Sequence, residues 1–152
     1  MQMKRHNFPT GWRLFLGALF ALMTSCHQGV LYHSYQPVNP TGWKQDDTLV
    51  FTCPQTLYSP DCQLEIGIRH KDSYKYRDIW LTINTDKLHL YLADSIGNWE
   101  GNGIGDTRQW TKPIPYNSTN QDSIKELRIV HIMQDTPLKG IEHIGIKIKN
   151  VP

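Results

Sequence analysis

The sequence lacks an apolar run long enough to cross a membrane. Its longest apolar stretch extends from Leu14 to about Met23 of the 152 residues, whereas a spanning helix needs about 20 consecutive apolar residues. The stretch has instead the length of the apolar centre of a secretory signal peptide. Lys4, Arg5 and Arg13 precede it, as the basic flank of such a peptide does. The sequence therefore predicts a signal that is removed.

Cysteine is scarce, and one of the three cysteines directly follows the apolar stretch. The order LMTSC from Leu22 to Cys26 is similar to a bacterial lipobox, in which a signal peptidase cuts before the cysteine and the thiol receives a diacylglycerol. We therefore predict that residues 1–25 are removed and that acyl chains such as palmitate on Cys26 anchor the protein. Each buried CH₂ of such a chain contributes about 0.8 kcal/mol to membrane binding. An ordinary secretory signal with an incidental cysteine is the alternative.

The other two cysteines, Cys53 and Cys62, stand at the ends of the segment CPQTLYSPDC. Apolar residues alternate on either side of it, which predicts two strands of a hairpin with both cysteines on its core face. An oxidising compartment then permits a disulfide between them. Two buried free thiols are the alternative. We predict no metal site, because no histidine pair lies at a ligand spacing.

An excess of charge of one sign is also lacking. The chain contains 16 basic and 14 acidic residues, and removal of the three basic residues of the signal leaves 13 against 14. Proteins that bind nucleic acid usually carry a basic face. We therefore expect no nucleic-acid partner.

No long run with the 3.6-residue period of a helix follows the signal. Apolar and polar residues instead alternate in short runs, which is typical of half-buried antiparallel strands. Because one face of each strand must be covered by a second layer, the pattern predicts a single all-β domain, a jelly-roll-like antiparallel β-sandwich. A barrel is the alternative. The predicted runs are 48–53, 62–70, 76–84, 87–93, 124–132 and 141–149.

The remaining segments are predicted to be irregular. Residues 26–47 contain Pro37, Pro40 and Gly42, which interrupt regular structure. We expect this segment to comprise the lipidated cysteine, a tether and the lead into a domain at 48–152. Residues 94–123 are rich in glycine, proline and asparagine, and are expected to form long loops.

Catalytic motifs are lacking. The chain has no GxSxG, no HExxH and no phosphate-binding loop. Glu65, Glu100 and Glu142 are acids that could converge as in a glycoside hydrolase, but three separate surface glutamates are the simpler interpretation. We therefore expect a protein that is not an enzyme, with no cofactor and no small-molecule substrate.

Aromatic residues leave two functional interpretations open. Exposed tryptophans on a sandwich stack on sugar rings, whereas buried tryptophans fill the core. Trp43, Trp80, Trp99 and Trp110 are the residues concerned. A carbohydrate-binding surface lipoprotein would require a flat platform of two or more of them.

The sequence resembles the GldH-type gliding-motility lipoproteins of the Bacteroidota over nearly the whole mature chain. The resemblance is carried by the lipobox cysteine and by the segments GWKQDDTLVF, IGIRHKDSYKYRDIWLTI, LADSIGNWEGNGIGD and IMQDTPLKGIEHIGIKI. The positions that match the family pattern, called here the family-motif positions, include Trp80, Trp99, Gly101, Gly103, Met133, Pro137, Leu138, Gly140 and Gly145.

The resemblance implies a lipoprotein associated with the outer membrane. It implies a non-enzymatic structural or assembly component of the gliding machinery that accompanies type IX secretion, with other envelope proteins as partners. Surface export in this phylum is expected to need acids just after the lipidated cysteine, and HQGVLYHSYQ contains none. We therefore expect the domain to face the periplasm. Asp-[Ser/Thr]-apolar tripeptides, which these bacteria are expected to O-glycosylate, occur at Thr48, Ser95 and Ser123.

Overall fold

The computed structural model describes residues 29–53, 62–114 and 126–150. Within these ranges the regular elements are nine β-strands, without a helix. The strands are β1 (Val30–Pro37), β2 (Leu49–Thr52), β3 (Cys62–Lys71), β4 (Asp78–Ile83), β5 (Asp86–Tyr91), β6 (Asn102–Ile104), β7 (Thr107–Ile114), β8 (Glu126–His131) and β9 (Ile141–Asn150).

The strands form two antiparallel sheets. The five-stranded sheet has the order β1-β9-β3-β7-β6, and the four-stranded sheet has the order β2-β8-β4-β5. The two sheets are not joined into a barrel. The predicted antiparallel β-sandwich is therefore confirmed, and the barrel alternative is wrong.

The core lies between the two sheets because each strand turns one set of alternating side chains inward. Ile66 on β3 and Ile146 on β9 are fully buried from the five-stranded sheet, and they are paired across the two strands. Phe51, Leu81 and Ile129 are fully buried from the four-stranded sheet. Full burial of such a side chain stabilises the fold by about 1.5–3 kcal/mol, so these alternating positions determine which face of each strand is internal.

The first strand corrects the predicted tether. Val30–Pro37 forms β1 and pairs with β9 along its length, whereas the sequence pattern predicts an irregular segment there. The sequence pattern did not indicate this strand because two of its inward positions are polar. Ser34 and Gln36 pair with the inward-facing Ile146 and Ile144. Polar side chains are tolerated there because β1 is an edge strand, and the amide of Gln36 donates a hydrogen bond of 2.6 Å to the carbonyl of Val50 on the other sheet.

The predicted hairpin between the two remaining cysteines is wrong. The strand that leads to Cys53 pairs with β8, whereas the strand that begins at Cys62 pairs with β7 and β9 in the other sheet. Both cysteines are free thiols in the structure, Cys53 buried and Cys62 partly exposed. Alternation identified the inward face of each strand, but it carries no information on the pairing partner.

The segment 94–123 also differs from the prediction, since it contains β6 and β7 in its described part. On β7 only Trp110 and Ile114 are buried. Lys112 lies between them on the same face of the strand, but it is exposed. The alternation was therefore too weak to be recognised as a strand.

Candidate interaction surface

Several family-motif positions hold the loops at one end of the sandwich. Leu138 and Trp43 exchange two backbone hydrogen bonds, of 2.7 and 2.9 Å, and both side chains are buried. The indole N–H of Trp43 donates to the carbonyl of Asp47 at 2.7 Å, and Nε2 of His131 donates to the carbonyl of Trp43 at 2.9 Å. Pro137, next to Leu138, packs against Gly42. These contacts hold the loop that contains Gly42 and Trp43 against the loop that contains Pro137 and Leu138.

Gly140 has a structural role at the same end. Its φ is +89°, a conformation that costs other residues energy, and a Cβ there would lie 2.9 Å from Cα of Tyr74. Its carbonyl accepts a 2.8 Å hydrogen bond from the backbone N–H of Lys71. The hydroxyl of Tyr74 in turn donates to the carbonyl of Asp78 at 3.0 Å. Glycine is therefore required for the close packing of these two loops.

Trp99 covers a buried histidine near these loops. Its ring centroid lies 4.6 Å from that of His70, and the indole is partly buried against the core. The next residue, Glu100, accepts a 3.2 Å hydrogen bond from the indole N–H of Trp110. Gly101 and Gly103 follow, before and within the exposed β6. Trp99 is thus a packing residue.

Gly145 lies on the outer face of the five-stranded sheet, directly opposite Gly67 on the neighbouring strand. The ring of Tyr35 covers both glycines, and a Cβ on either one would collide with that ring. The guanidinium carbon of Arg69 lies 4.3 Å from the centroid of the same ring. Tyr35 therefore lies over the two glycines, with the guanidinium of Arg69 over its ring.

Trp80 differs from the other family-motif tryptophan because its side chain is 40% exposed. It lies on the outer face of the four-stranded sheet, directly opposite His89, and the two rings stack with 4.0 Å between centroids and 10° between planes. The ring of Tyr91 lies 4.4 Å from that of His89 and is 59% exposed. The exposed Ile132 donates its backbone N–H to the carbonyl of Trp80 at 2.9 Å. These four residues, Trp80, His89, Tyr91 and Ile132, are called here the Trp80 patch.

Two contacts fix the geometry of the Trp80 patch. Nε2 of His89 lies 2.6 Å from a carboxylate oxygen of Asp78, which holds the imidazole parallel to the indole. The backbone N–H of Trp80 donates to the sulfur of Met133 at 3.2 Å. Met133, another family-motif position, is itself buried. The buried Met133 and the carboxylate of Asp78 therefore hold the patch in one arrangement before any partner binds.

The four tryptophans do not form a platform for sugars. All four lie in the described ranges; Trp43 and Trp110 are buried, Trp99 is partly buried, and only Trp80 is exposed. One face of the exposed indole is covered by His89. This arrangement favours the structural interpretation of the aromatics over the carbohydrate-binding one.

The three glutamates that could have formed a catalytic pair contact different partners. Glu65 lies between Lys149 and Lys147, at 2.6 and 3.3 Å. Burial alone would raise the pKa of Glu65, but the hydrogen bonds and charges of the two lysines outweigh it and lower that pKa. Glu142 pairs with Lys71 at 3.1 Å, and Glu100 is bonded to an indole N–H, as described above. No cluster of three metal-binding side chains occurs in the described ranges.

The remaining predicted site residues are distributed over loops and undescribed segments. Cys26 and Ser123 lie outside the described residues. Thr48 is partly buried, and Ser95 is exposed in a turn where the carboxylate of Asp94 accepts hydrogen bonds from the backbone N–H groups of Ile96 and Asn98.

Sequence reasoning missed three of the four members of the Trp80 patch. The sequence pattern could have identified two of them, because His89 and Tyr91 alternate with the more buried positions of β5. An outward-facing aromatic pair next to an outward-facing tryptophan indicates a surface cluster. Tyr35 was missed for another reason: its place over Gly67 and Gly145 depends on the register of three strands.

Comparison with known proteins identifies a family over most of the described residues. No curated protein and no solved structure matches the chain. Among the described residues, no helix is both long and apolar enough to cross a membrane. The family model described as GldH lipoprotein matches residues 30–148, and its first residue coincides with the start of β1. The chain belongs to the GldH lipoprotein family.

Proposed function

We propose that the protein is a lipid-anchored, non-enzymatic structural or assembly component of the gliding-motility and type IX secretion-associated envelope machinery. Family membership supports a gliding-related lipoprotein. The single observation that carries the structural role is the exposed, pre-organised stack of Trp80 on His89. In this role the Trp80 patch docks on another protein of the machinery.

The chemistry of the Trp80 patch suits a protein interface. Tryptophan and tyrosine are enriched among the few residues that dominate interface energies. Ordering exposed side chains on binding costs about 0.5–1.5 kcal/mol for each one immobilised, and the contact with Asp78 has already ordered His89. A partner that covers Trp80 and Tyr91 therefore gains apolar burial at a reduced entropic cost.

The position of β1 bears on how the domain sits at the membrane. Only three residues, 27–29, separate the predicted lipidation site Cys26 from Val30. Even a fully extended chain covers about 14 Å over this interval, which is shorter than the tether expected from the sequence. This supports a domain held directly against the bilayer. We place it at the outer membrane, on the periplasmic side, because the lead after Cys26 contains no acid before Asp46.

The proposal is tested with the full-length lipoprotein expressed from its own locus. Trp80→Ala and Tyr91→Ala variants are compared with Lys87→Ala, a change at an exposed position of the same strand β5. Blue-native electrophoresis of detergent-solubilised envelopes should show wild type and Lys87→Ala in a large complex, with both aromatic variants shifted to the free lipoprotein. Secretion of a type IX substrate should fall in the same two variants. An intact complex and normal secretion in both aromatic variants would contradict the proposal.

The carbohydrate-binding alternative predicts another outcome. If the exposed aromatics served sugars, Trp80→Ala would abolish retention on polysaccharide columns and leave the envelope complex intact. Trp43 and Trp110 are buried and Trp99 is partly buried, which disfavours that result.

A further inference from the structure

The outer face of the five-stranded sheet contains a groove that none of the functions above uses. The strand register turns a second set of side chains outward on this face, and the ring of Tyr35 lies over the two glycines at its centre. The outward residues around it are His33 and Tyr35 on β1, Lys147 on β9, Arg69 on β3, and Gln109 and Thr111 on β7.

The groove consists of two adjoining depressions. The larger has a volume of about 530 Å³ and is bordered by Arg69, Thr107 and the segment Gly101–Ile104. The smaller has a volume of about 120 Å³ and is bordered by Tyr35 and Lys147 among others. Gln109 and Thr111 line both depressions, so the two adjoin at β7. We call this feature the sheet groove. Its larger part alone is within the size range of ligand sites.

The charge of the sheet groove has one sign. Arg69 and Lys147 border it, and none of the described residues that line it is acidic. Carboxylates lie just outside its border, and each is paired with lysine. Glu142 accepts a 3.1 Å hydrogen bond from the hydroxyl of Thr107 and pairs with Lys71 at 3.1 Å, and Glu65 is shared by Lys147 and Lys149 at 3.3 and 2.6 Å. One carboxylate between two ammonium groups leaves a net positive charge at this side of the groove.

Arg69 is positioned to receive a carboxylate. Its Nε donates to Oε1 of Gln109 at 3.0 Å, and its guanidinium plane lies over Tyr35, so two contacts hold the side chain in one place. A guanidinium has five N–H donors in a fork that matches carboxylate oxygens in pairs. An arginine immobilised in this way loses little further entropy when it binds an anion.

We propose that the sheet groove binds an extended acidic polypeptide segment of a partner protein. An acidic chain matches the cationic border, and its length matches a groove that crosses several strands. A sugar is disfavoured because Arg69 lies over the ring of Tyr35 and none of the described tryptophans is exposed on this face.

This inference deepens the proposed function, since it gives the scaffold a second contact of different chemistry. The Trp80 patch lies on the outer face of the other sheet. Substitutions at Trp80 and at Arg69 therefore report on separate surfaces, and either proposal can fail without the other.

The test measures binding of two fluorescent peptides to the full-length lipoprotein in a neutral detergent. (Glu-Thr)₅ is the acidic probe, and (Gln-Thr)₅ is its uncharged counterpart; both favour extended conformations. We expect the acidic peptide to bind and the uncharged peptide to bind at least about tenfold more weakly, because hydrogen bonds to charged groups are about twice as strong as neutral ones. Added salt should weaken only the acidic probe.

Two variants localise the binding, with a matched control. Arg69→Gln should weaken binding of the acidic peptide about tenfold, whereas Arg128→Gln, which removes an exposed arginine from the four-stranded sheet, should not change it. Thr111→Tyr fills the floor of the groove and leaves Arg69 in place, so it should weaken binding as well. Near-ultraviolet circular dichroism checks that each variant is folded. Trp80→Ala should bind the acidic peptide as wild type does.

Four results would overturn the proposal. The first is equal affinity for the two peptides, or no binding of either. The second is a loss of acidic-peptide affinity in Arg128→Gln equal to that in Arg69→Gln, and the third is a loss of this affinity in Trp80→Ala with none in Arg69→Gln. The fourth is binding of polygalacturonate in place of the acidic peptide. The last result would assign the groove to an anionic glycan.

Discussion

The indole of Trp80 and the imidazole of His89 lie parallel across β4 and β5, with centroids 4.0 Å apart. The carboxylate of Asp78 holds the imidazole from one edge at 2.6 Å. An exposed tryptophan would ordinarily sample several rotamers, but this one is fixed by a stacked neighbour. Among the described residues, the cluster that contains the exposed Trp80 and Tyr91 is therefore also an ordered one, as a docking surface requires.

The state of the two cysteines provides the first prediction. Cys53 and Cys62 should both react with a thiol reagent when the purified protein is denatured. Cys53 follows β2 of the four-stranded sheet, Cys62 begins β3 of the five-stranded sheet, and both are free thiols in the structure. In the native protein Cys62 should react first. Burial raises the pKa of the Cys53 thiol, and the thiolate is the reactive form. Detection of an intramolecular disulfide by non-reducing peptide mapping would contradict this.

The second prediction concerns the ring of Tyr35. Gly67→Ala should lower the free energy of unfolding by about 1 kcal/mol, the low end of the cost of overpacking, because a Cβ there collides with the far end of the Tyr35 side chain and displaces it. Gly29→Ala is the matched control, since its added Cβ would lie 3.6 Å from the nearest atom, an ordinary contact. Urea denaturation measures both. Equal stability of Gly67→Ala and wild type would show that Tyr35 does not rest on the glycines.

The third prediction is a loss of stability on mild acidification. His70 and His131 are fully buried, each has one ring nitrogen without a partner in the structure, and burial lowers the pKa of both. Between the lowered pKa and the unfolded value of about 6.5, the unfolded chain binds more protons, so stability decreases as the pH falls through this interval. The urea midpoint should therefore be lower at pH 5 than at pH 7.

A histidine variant separates this effect from general acid denaturation. His131→Phe loses the hydrogen bond to Trp43 and should be less stable than wild type at pH 7, but its midpoint should change less between pH 7 and pH 5. A wild-type midpoint that is constant or rises over this interval would contradict the account.

Part of this structure was predictable from the sequence. The alternation of Ile79, Leu81 and Ile83 identified β4 because those side chains enter a core that tolerates little else. β1 was missed because an edge strand tolerates Ser34 and Gln36 at inward register positions. The pairing of β2 with β8 depends on contacts distant in sequence, which no local pattern encodes.

The candidate surfaces were predictable to different degrees. Trp80 was found through the family resemblance, and the alternation of His89 and Tyr91 could have completed its patch. The sheet groove could not be inferred, because Arg69 and Tyr35 meet only through the register of β1, β9 and β3.

The fourth prediction concerns the anchor. Cys26→Ala should abolish labelling of the protein by radioactive palmitate and leave an uncleaved precursor, because the thiol is the predicted acceptor of the lipid. Cys62→Ala is the control and should be labelled as wild type is. Palmitate incorporation that persists in Cys26→Ala would exclude lipidation at this cysteine.

The fifth prediction tests the central claim, that the Trp80 patch docks on a protein of the envelope machinery. Tyr91→p-benzoylphenylalanine in the full-length lipoprotein, irradiated in intact cells, should give a discrete protein adduct that mass spectrometry identifies as a component of the machinery. The same adduct should be lost when Trp80→Ala is added, and it should be absent from Lys87→p-benzoylphenylalanine. The account is contradicted if Tyr91 gives no adduct, or if the adduct forms equally from position 87 or persists without the indole.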